Sequence, residues 1–139
     1  MRPMASKVII FDTSVFIDHL RAAKHTVRIS AVSGLIRNSA VVLSELMRGA
    51  TKADELAFIK NLAKNHPIMT PTEKNWIESG EVLGKVYRDR GFGPEKLREL
   101  HFDVLIALSA RHFGATVITS TRGDFELIKK YREFSLEVW

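Results

Sequence analysis

The chain has 139 residues, of which 45% are hydrophobic and 27% charged, so it is long enough to bury the core of one globular domain spanning residues 1–139. It contains no cysteine, which excludes a disulfide framework and thiolate-bound zinc and fits a reducing compartment such as the cytoplasm. The formal net charge of +5 suits a polyanionic partner such as nucleic acid, although the basic residues are spread along the chain, as on an ordinary solvated surface.

The apolar runs of the chain are short. A run such as Val8–Phe11 is far too short to cross a bilayer. Residues 1–4 lack the apolar core of a signal peptide. We therefore expect a cytoplasmic protein with no membrane partner.

The first predicted element is a buried strand over residues 7–11, which are short and β-branched. Asp12 follows it directly, and a helical pattern then starts near Val15. Asp12 thus lies where a strand is followed by a helix, a position at which aspartate commonly caps the helix. The apolar residues of the segment 27–36 recur at mostly helical spacing, although alternation within it leaves a strand open.

Residues 40–43, Ala-Val-Val-Leu, predict a second buried strand. Residues 44–50 then predict a short helix that ends at a glycine. Glu45 is therefore the second acid at a strand-to-helix junction. Taken alone, it is a favourable first-turn carboxylate near the positive end of the helix dipole. The repetition of the pattern favours a shared role for the two acids.

Two amphipathic helices are predicted in the middle of the chain. Residues 51–65 keep their apolar side chains on one face and end at Pro67, after which residues 68–69 favour a short strand. Residues 72–90 predict a longer helix capped by Thr72. One stripe of that helix carries Trp76, Gly80, Leu83, Gly84 and Tyr87. Packing inside the domain is the simpler interpretation of this stripe, and a dimer interface is the alternative.

Asp103 is the acid that local structure explains least well. Residues 91–94 break the chain, and residues 95–99 predict a short helix before the next one. That next helix includes residues 102–108, which are apolar except for Asp103 and therefore predict burial. An unpaired ionised carboxylate in a core costs on the order of several kcal/mol. No Lys or Arg lies one turn away inside the apolar run, so its partner is a basic side chain from another element or a metal ion shared with other carboxylates.

The remaining residues complete an alternation of strands and helices. Residues 115–119 predict a third buried strand, and Asp124 lies between it and the next helix, again at a possible capping position. Alternating apolar residues over 134–138 predict a half-buried closing strand. This order of elements predicts an α/β fold with a parallel sheet and helices on both faces.

The predicted topology brings four acids to one edge of the sheet, where ligands bind beyond the carboxyl ends of the strands. Asp12, Glu45 and Asp124 each follow a predicted strand, and Asp103 joins them if the N-terminal end of its helix points to that edge. Crowded carboxylates raise one another's pKa unless a cation lies among them. Mg²⁺ and Mn²⁺ take such oxygen ligands, and no histidine cluster suggests zinc. One or two such ions on a basic protein indicate phosphodiester hydrolysis by metal-activated water.

Four short motifs occur along the chain: Asp12-Thr13-Ser14, Ser44-Glu45-Leu46 with Gly49-Ala50, Phe102-Asp103-Val104-Leu105-Ile106-Ala107, and Thr119 with Asp124-Phe125. In this order and at these spacings they resemble the PIN domain, and most closely the VapC-type toxins of toxin–antitoxin pairs. The resemblance spans almost the whole chain and implies a three-layer α/β/α fold with a mainly parallel central sheet. One position departs from it, since Thr121 lies where many relatives have asparagine.

The resemblance also implies which residues carry the chemistry. The catalytic and metal-binding set is Asp12, Glu45, Asp103 and Asp124. Asp12 and Asp103 would be the main metal ligands, and the other two would complete the pocket through water or a second ion. Ser14 and Thr119 match hydroxyl positions that hold an acid or a phosphate.

The activity implied by the resemblance is a Mg²⁺- or Mn²⁺-dependent endoribonuclease that cleaves single-stranded RNA as the toxin of a VapBC-type system. The implied partners are the RNA substrate, a second copy in a homodimer, and a cognate VapB-type antitoxin. Such an antitoxin binds with a helix in a groove and reaches the acidic pocket with a basic residue.

Alternatives remain open at this stage. Within the family, they are an RNA-processing nuclease without an antitoxin and a non-catalytic scaffold that binds RNA or protein. The compact, cysteine-free chain favours the toxin over processing relatives that carry a zinc ribbon, and the four acids disfavour the scaffold. Outside the family, a receiver domain needs neighbouring acids after the first strand, and a haloacid-dehalogenase phosphatase needs aspartate where this chain has Ser14.

Overall fold

The computed structural model describes residues 7–139, so the expectation about residues 1–4 lies outside the described part of the chain. In chain order the elements are β1 (Val8–Phe11), α1 (Thr13–Ala22), α2 (Thr26–Ala31), β2 (Leu35–Ser39), α3 (Ala40–Gly49), α4 (Ala53–Asn65), β3 (Ile68–Met69), α5 (Glu73–Arg90), α6 (Pro94–His112), β4 (Ala115–Thr119), α7 (Arg122–Lys129) and β5 (Ser135–Val138). Within residues 7–139, no helix combines the length and the apolar character needed to span a bilayer.

The strands form one five-stranded sheet in the order β3-β2-β1-β4-β5, and every pairing is parallel. The first strand is central, with β2 on one side and β4 on the other. The chain therefore changes direction along the sheet beside the carboxyl end of β1, which is where open α/β sheets bind ligands. The predicted α/β fold, with a parallel central sheet flanked by helices, is confirmed.

The core is built around the central strands and the middle of α6. All five residues of β4 are buried, and so is every residue of α6 from 104 to 110. Strands covered by helices on both faces read as continuous apolar runs, as β1 and β4 do. The same apolar packing fixes the carboxyl end of β1, the carboxyl end of β4 and the middle of α6 relative to one another.

The prediction of a strand at residues 40–43 is wrong, because these residues begin helix α3 and the second strand is β2. Ser39 ends that strand and caps the helix, its Oγ accepting a 3.4 Å hydrogen bond from the backbone N–H of Val42. The buried face of the helix consists of Val41, Val42 and Leu46. A short apolar run fits a buried strand and a buried helix equally well, and here the cap decides. Glu45 consequently lies in the second turn of α3, not at a strand-to-helix junction.

The helix predicted from the spacing of apolar residues over 27–36 is only partly confirmed. Helix α2 ends at Ala31, and Ile36 lies in strand β2. Gly34 lies between them, where a Cβ would be only 2.5 Å from the carbonyl oxygen of Lys7. A glycine at this point allows the chain to approach β1 closely enough to start pairing with it.

Helix α6 is one continuous helix of 19 residues, where the sequence predicted a short helix at residues 95–99 and a separate helix beginning near Asp103. Gly93 is the N-cap and Pro94 occupies the first helical position, where its missing N–H removes no helical hydrogen bond. Nothing interrupts the helix after that. Asp103 therefore lies in its third turn and not at its N-terminal end.

Helix α5 begins as predicted, with the Oγ1 of Thr72 accepting a 3.0 Å hydrogen bond from the N–H of Asn75. It buries a different face from the predicted stripe, and that face consists of Asn75, Ser79, Val82 and Val86. From the predicted stripe, Leu83 packs against the core, and the Trp76 ring contacts His101 of α6 edge-on at 5.8 Å although it is 50% exposed. Packing inside the domain is thus confirmed in part, whereas Tyr87 is 56% exposed. The dimer interface stays a prediction.

Candidate active site

Asp12 is buried at the carboxyl end of β1, where it is also the N-cap of α1. Its Oδ2 accepts hydrogen bonds from the hydroxyl of Ser14 at 2.7 Å and from that of Thr119 at 2.9 Å. Burial raises the pKa of this carboxyl group, and the hydroxyl donors work in the opposite direction because they stabilise the charged form. Asp12 can therefore cap α1 and also contribute its carboxylate to a functional site.

Two hydroxyl groups tie the ends of the central strands together. The Oγ of Ser14 accepts a 3.1 Å hydrogen bond from the backbone N–H of Ser120, and the Oγ1 of Thr119 accepts one of 3.0 Å from the N–H of Thr121. Thr119 is fully buried. Both hydroxyls therefore accept from backbone and donate to Asp12, which fixes the orientation of its carboxylate.

Glu45 reaches the same region from the second turn of α3. The hydroxyl of Thr13 donates a 2.9 Å hydrogen bond to its Oε1. Burial raises the pKa of Glu45, the Thr13 hydroxyl lowers it, the Asp12 charge raises it and the Arg48 charge lowers it. Thr13 was not singled out by the sequence analysis, although it belongs to the same motif as Asp12.

Asp103 is partly buried in the middle of α6. Burial raises its pKa to about 8, helped by the charges of three facing carboxylates and opposed by the ammonium group of Lys96. The three facing residues are Asp12, Glu45 and Asp124. Among the described residues, Asp103 is the acid of this set without a hydrogen-bonded side-chain partner. The fold thus brings the four predicted acids to one region. The negative charge of Asp103 is the least well compensated of the four.

Asp124 lies in the first turn of α7, two residues after Arg122, and Thr121 is the N-cap of that helix. Its Oδ1 accepts a 2.9 Å hydrogen bond from the Nζ of Lys96 in the first turn of α6. Lys96 was missed by the sequence analysis. The spacing along the helix could have identified it, because Lys96 lies seven residues, or about two turns, before Asp103 and therefore on the same helix face. The prediction of a separate helix over residues 95–99 hid this relation.

A surface groove opens beside the carboxylates and has a volume of about 740 Å³. Its lining consists of Glu45, Arg48, Glu95, Arg98, Glu99, His101, Phe102 and Asp103. The guanidinium of Arg48 lies 5.7 Å from the ring centroid of Phe102, in cation–π range. Aromatic, cationic and acidic groups thus meet along one groove.

The carboxylate oxygens of the four acids are ligands of the type and charge that hard divalent cations prefer. Four carboxylates face one region, there is no thiolate in the chain, and the repulsion at Asp103 is of the kind that a cation relieves. As placed, no three His, Asp or Glu side chains within residues 7–139 surround a point closely enough to hold an ion. The side-chain positions therefore do not by themselves define the ligands of a metal.

Fold and site together define an α/β protein with a carboxylate pocket at the carboxyl edge of its parallel sheet. The chain belongs to the PIN domain family, whose model matches residues 9–131. The coarse functional class that follows is a nuclease. Comparison with curated protein sequences gives no match.

Solved structures of toxin–antitoxin complexes share the fold. VapBC2 from Rickettsia felis, bound to a DNA fragment from its promoter, is 20% identical over 95% of this chain and 98% of that chain, with a TM-score of 0.68. VapBC-1 from nontypeable Haemophilus influenzae is 19% identical over 95% and 98%, with a TM-score of 0.69. DNA-bound VapBC from Salmonella typhimurium is 21% identical over 98% and 99%, with a TM-score of 0.66. At these identities the similarity establishes the fold.

Proposed function

We propose that this chain is a divalent-metal-dependent endoribonuclease that cleaves single-stranded RNA and acts as the toxin of a VapBC-type toxin–antitoxin system. The observation that carries the proposal is Asp103, the one charged residue in the stretch 102–108 of α6. Burial and the charges of three nearby acids raise its pKa to about 8. A divalent cation relieves that repulsion, and Mg²⁺ or Mn²⁺ beside a phosphodiester is suited to its hydrolysis.

Each residue of the pocket has a distinct task in this proposal. Asp12 and Asp103 are the main ligands, and Glu45 and Asp124 complete the pocket. The Ser14 and Thr119 hydroxyls keep the Asp12 carboxylate oriented. When bound, Mg²⁺ or Mn²⁺ supplies Lewis-acid polarisation of the phosphate and a lower pKa for a bound water.

The groove beside the pocket supports RNA as the substrate. Arg48 and Arg98 offer charge to phosphates, and Phe102 offers a ring face to a base. Single-stranded RNA exposes base faces that stack on aromatic rings, whereas a duplex hides them. The net charge of +5 favours binding of the same kind of polyanion.

The proposed activity is tested with the purified chain on a single-stranded RNA and on the same RNA annealed to its complement. We expect cleavage of the single strand in Mg²⁺ or Mn²⁺ and none with a chelator. We expect the annealed RNA to be cleaved far more slowly, because its bases are stacked and paired. Absence of cleavage of several unrelated single strands, or cleavage that survives the chelator, contradicts the proposal.

Replacing Arg48 with alanine is expected to weaken RNA binding by about tenfold at low salt, because the variant loses one phosphate-directed charge and the partner of Phe102. Binding is measured with a fluorescent RNA in a chelator, so that cleavage does not interfere. Arg90→Ala is the matched control, since Arg90 is an exposed arginine at the end of α5, which contributes no residue to the groove. Equal losses in the two variants would indicate only a general effect of charge.

A VapB-type antitoxin is part of the proposal, and one structural feature supports it. A small apolar crevice lies between α1, α3 and α4 and borders Glu45. Its apolar lining includes Ile17, Leu20, Leu46 and Ile59. An amphipathic helix could place its apolar face there and a basic residue beside the acids. The test is co-expression with the product of a short neighbouring reading frame: co-purification with loss of cleavage supports the toxin, and full activity without a binding partner favours a processing nuclease.

A homodimer also remains part of the proposal. The exposed face of α5 carries Trp76, Ile77 and Tyr87, and Gly80 and Gly84 on that helix allow close approach of another helix. The mass in solution, measured by light scattering, distinguishes a dimer from a monomer. Trp76→Glu should shift a dimer that uses this face toward monomer.

A further inference from the structure

A second cleft, with a volume of about 380 Å³, lies at the C-terminal end of α6 and beside the first turn of α5. It shares no lining residue with the groove beside the carboxylates. Arg111 lies about 12 Å along α6 from Asp103. Apart from Leu108, the lining is polar or charged and consists of Lys74, Asn75, Glu78, Arg111, His112 and Arg132. The proposed function makes no use of this cleft.

Asn75 is the residue of the cleft that indicates a ligand. It is only 6% exposed, and its Oδ1 accepts a 3.0 Å hydrogen bond from the backbone N–H of Thr72. Because that N–H requires an acceptor, the amide nitrogen Nδ2 must occupy the other position. Within residues 7–139, Nδ2 donates no hydrogen bond, yet it is not sealed from solvent, so it opens onto the cleft that Asn75 lines. A nearly buried amide with free N–H donors suits an acceptor from outside the chain.

The charges around this amide favour an anion. Glu78 is the one acid in the lining, and it is already paired with Arg132, whose Nε lies 3.3 Å from it. Arg132 also lies 3.6 Å from Glu81 through its Nη2, so its guanidinium is held in place. Lys74 and Arg111 are exposed, and neither forms a salt bridge in the part of the chain that the structure describes. Two cations are therefore available to a ligand.

The ends of two helices meet at the cleft. Lys74 and Asn75 lie in the first turn of α5, an 18-residue helix whose N-terminal end carries a partial positive charge that favours anions. Arg111 and His112 lie in the last turn of α6, where basic residues also stabilise the helix itself. The dipole of α6 thus accounts for its own basic residues but leaves the amide of Asn75 unexplained. An anionic acceptor accounts for the amide and the cations together.

We propose that this cleft binds a phosphate group, with Arg111 and Lys74 contacting its oxygens and the Asn75 amide donating to one of them. A guanidinium donates two parallel hydrogen bonds to a phosphate, and an ammonium supplies a further charge. Free phosphate and a phosphate of a nucleic-acid backbone present the same kind of oxygens, and the experiment distinguishes these two sources. The inference stands independently of the proposed function, because no residue of the carboxylate pocket takes part.

The test is a titration of the ¹⁵N-labelled full chain with inorganic phosphate, in chelator and at constant ionic strength set with chloride. Binding is followed by NMR on the backbone and side-chain amide signals, and the Asn75 side-chain signal is assigned by its loss in Asn75→Asp. We expect a saturable shift of that signal. Binding should be about tenfold weaker in Lys74→Gln and in Arg111→Gln, because each loses a charge-assisted hydrogen bond.

Asn75→Asp keeps the acceptor for the N–H of Thr72 and replaces the donor by a negative charge, so it should fold and lose phosphate binding altogether. Lys85→Gln and Arg90→Gln change exposed residues of α5 outside the cleft and are the matched controls. Both should bind phosphate like the wild type. The thermal unfolding of every variant is measured to establish that it folds.

A second arm identifies the source of the phosphate with a fluorescent single-stranded RNA in chelator. A loss of RNA affinity in Arg111→Gln but not in Arg90→Gln, with a shift of the Asn75 amide by RNA, indicates a backbone phosphate. Equal RNA affinities with retained phosphate binding in the wild type indicate free phosphate. The inference is overturned if neither phosphate nor RNA shifts the Asn75 amide saturably, or if the control variants lose as much affinity as Lys74→Gln and Arg111→Gln. Either result leaves the nuclease proposal intact.

Discussion

Asp103→Asn is expected to reduce the cleavage of single-stranded RNA by about 1,000-fold, comparable to the loss of a group that stabilises the transition state. Asparagine keeps the shape of the side chain and removes its negative charge. The other three acids are each hydrogen-bonded to another side chain, so we expect none of them to take the place of Asp103. The rate is measured under single-turnover conditions in Mg²⁺ and in Mn²⁺.

Two controls make this result specific. Asp54→Asn changes an exposed aspartate in the first turn of α4 that is not one of the four acids, and should leave the rate unchanged. Wild type treated with chelator should fall to the rate of the Asp103 variant. Cleavage by folded Asp103→Asn at the rate of the wild type would rule out Asp103 as a metal ligand.

The stability of the metal-free protein is expected to fall as the pH rises from about 4 to 8. The folded pKa of Asp103 is about 8 against an ordinary value of 3.8, so in this range the folded chain retains a proton that the unfolded chain releases. Each pH unit then removes up to about 1.4 kcal/mol from the free energy of unfolding. Asp12 and Glu45 act in the same direction, since burial also raises their pKa.

Asp103→Asn removes this titration, so its stability relative to the wild type should increase by up to about 4 kcal/mol between pH 5 and pH 8. The measurement is urea unfolding in chelator at both pH values, with Asp54→Asn as the control. Addition of Mn²⁺ at pH 8 should stabilise the wild type more than Asp103→Asn. Parallel pH profiles for the wild type and Asp103→Asn would contradict the assignment of a raised pKa to this residue.

Glu45 illustrates how a correct candidate can follow from an incorrect element. Residues 40–43 were predicted as a strand, yet they form the first turn of α3. Four consecutive apolar residues fit a buried strand and a buried helix alike. The local indication of a helix was Ser39, whose hydroxyl caps it. Glu45 still faces the pocket because α3 continues from the carboxyl end of β2, which pairs with β1.

The sequence by itself determined the α/β class, the motif order of the family and the anomaly of Asp103, because these depend on residue type and on spacing along the chain. Only the tertiary structure decided what compensates each acid. Thr13 pairs with Glu45, and Lys96 pairs with Asp124, across separations of 32 and 28 residues. Such contacts depend on how helices are packed and oriented, which local periodicity does not encode. Among the acids of the pocket, Asp103 is the one with no hydrogen-bonded side-chain partner within residues 7–139, and for that reason the proposed chemistry depends on it.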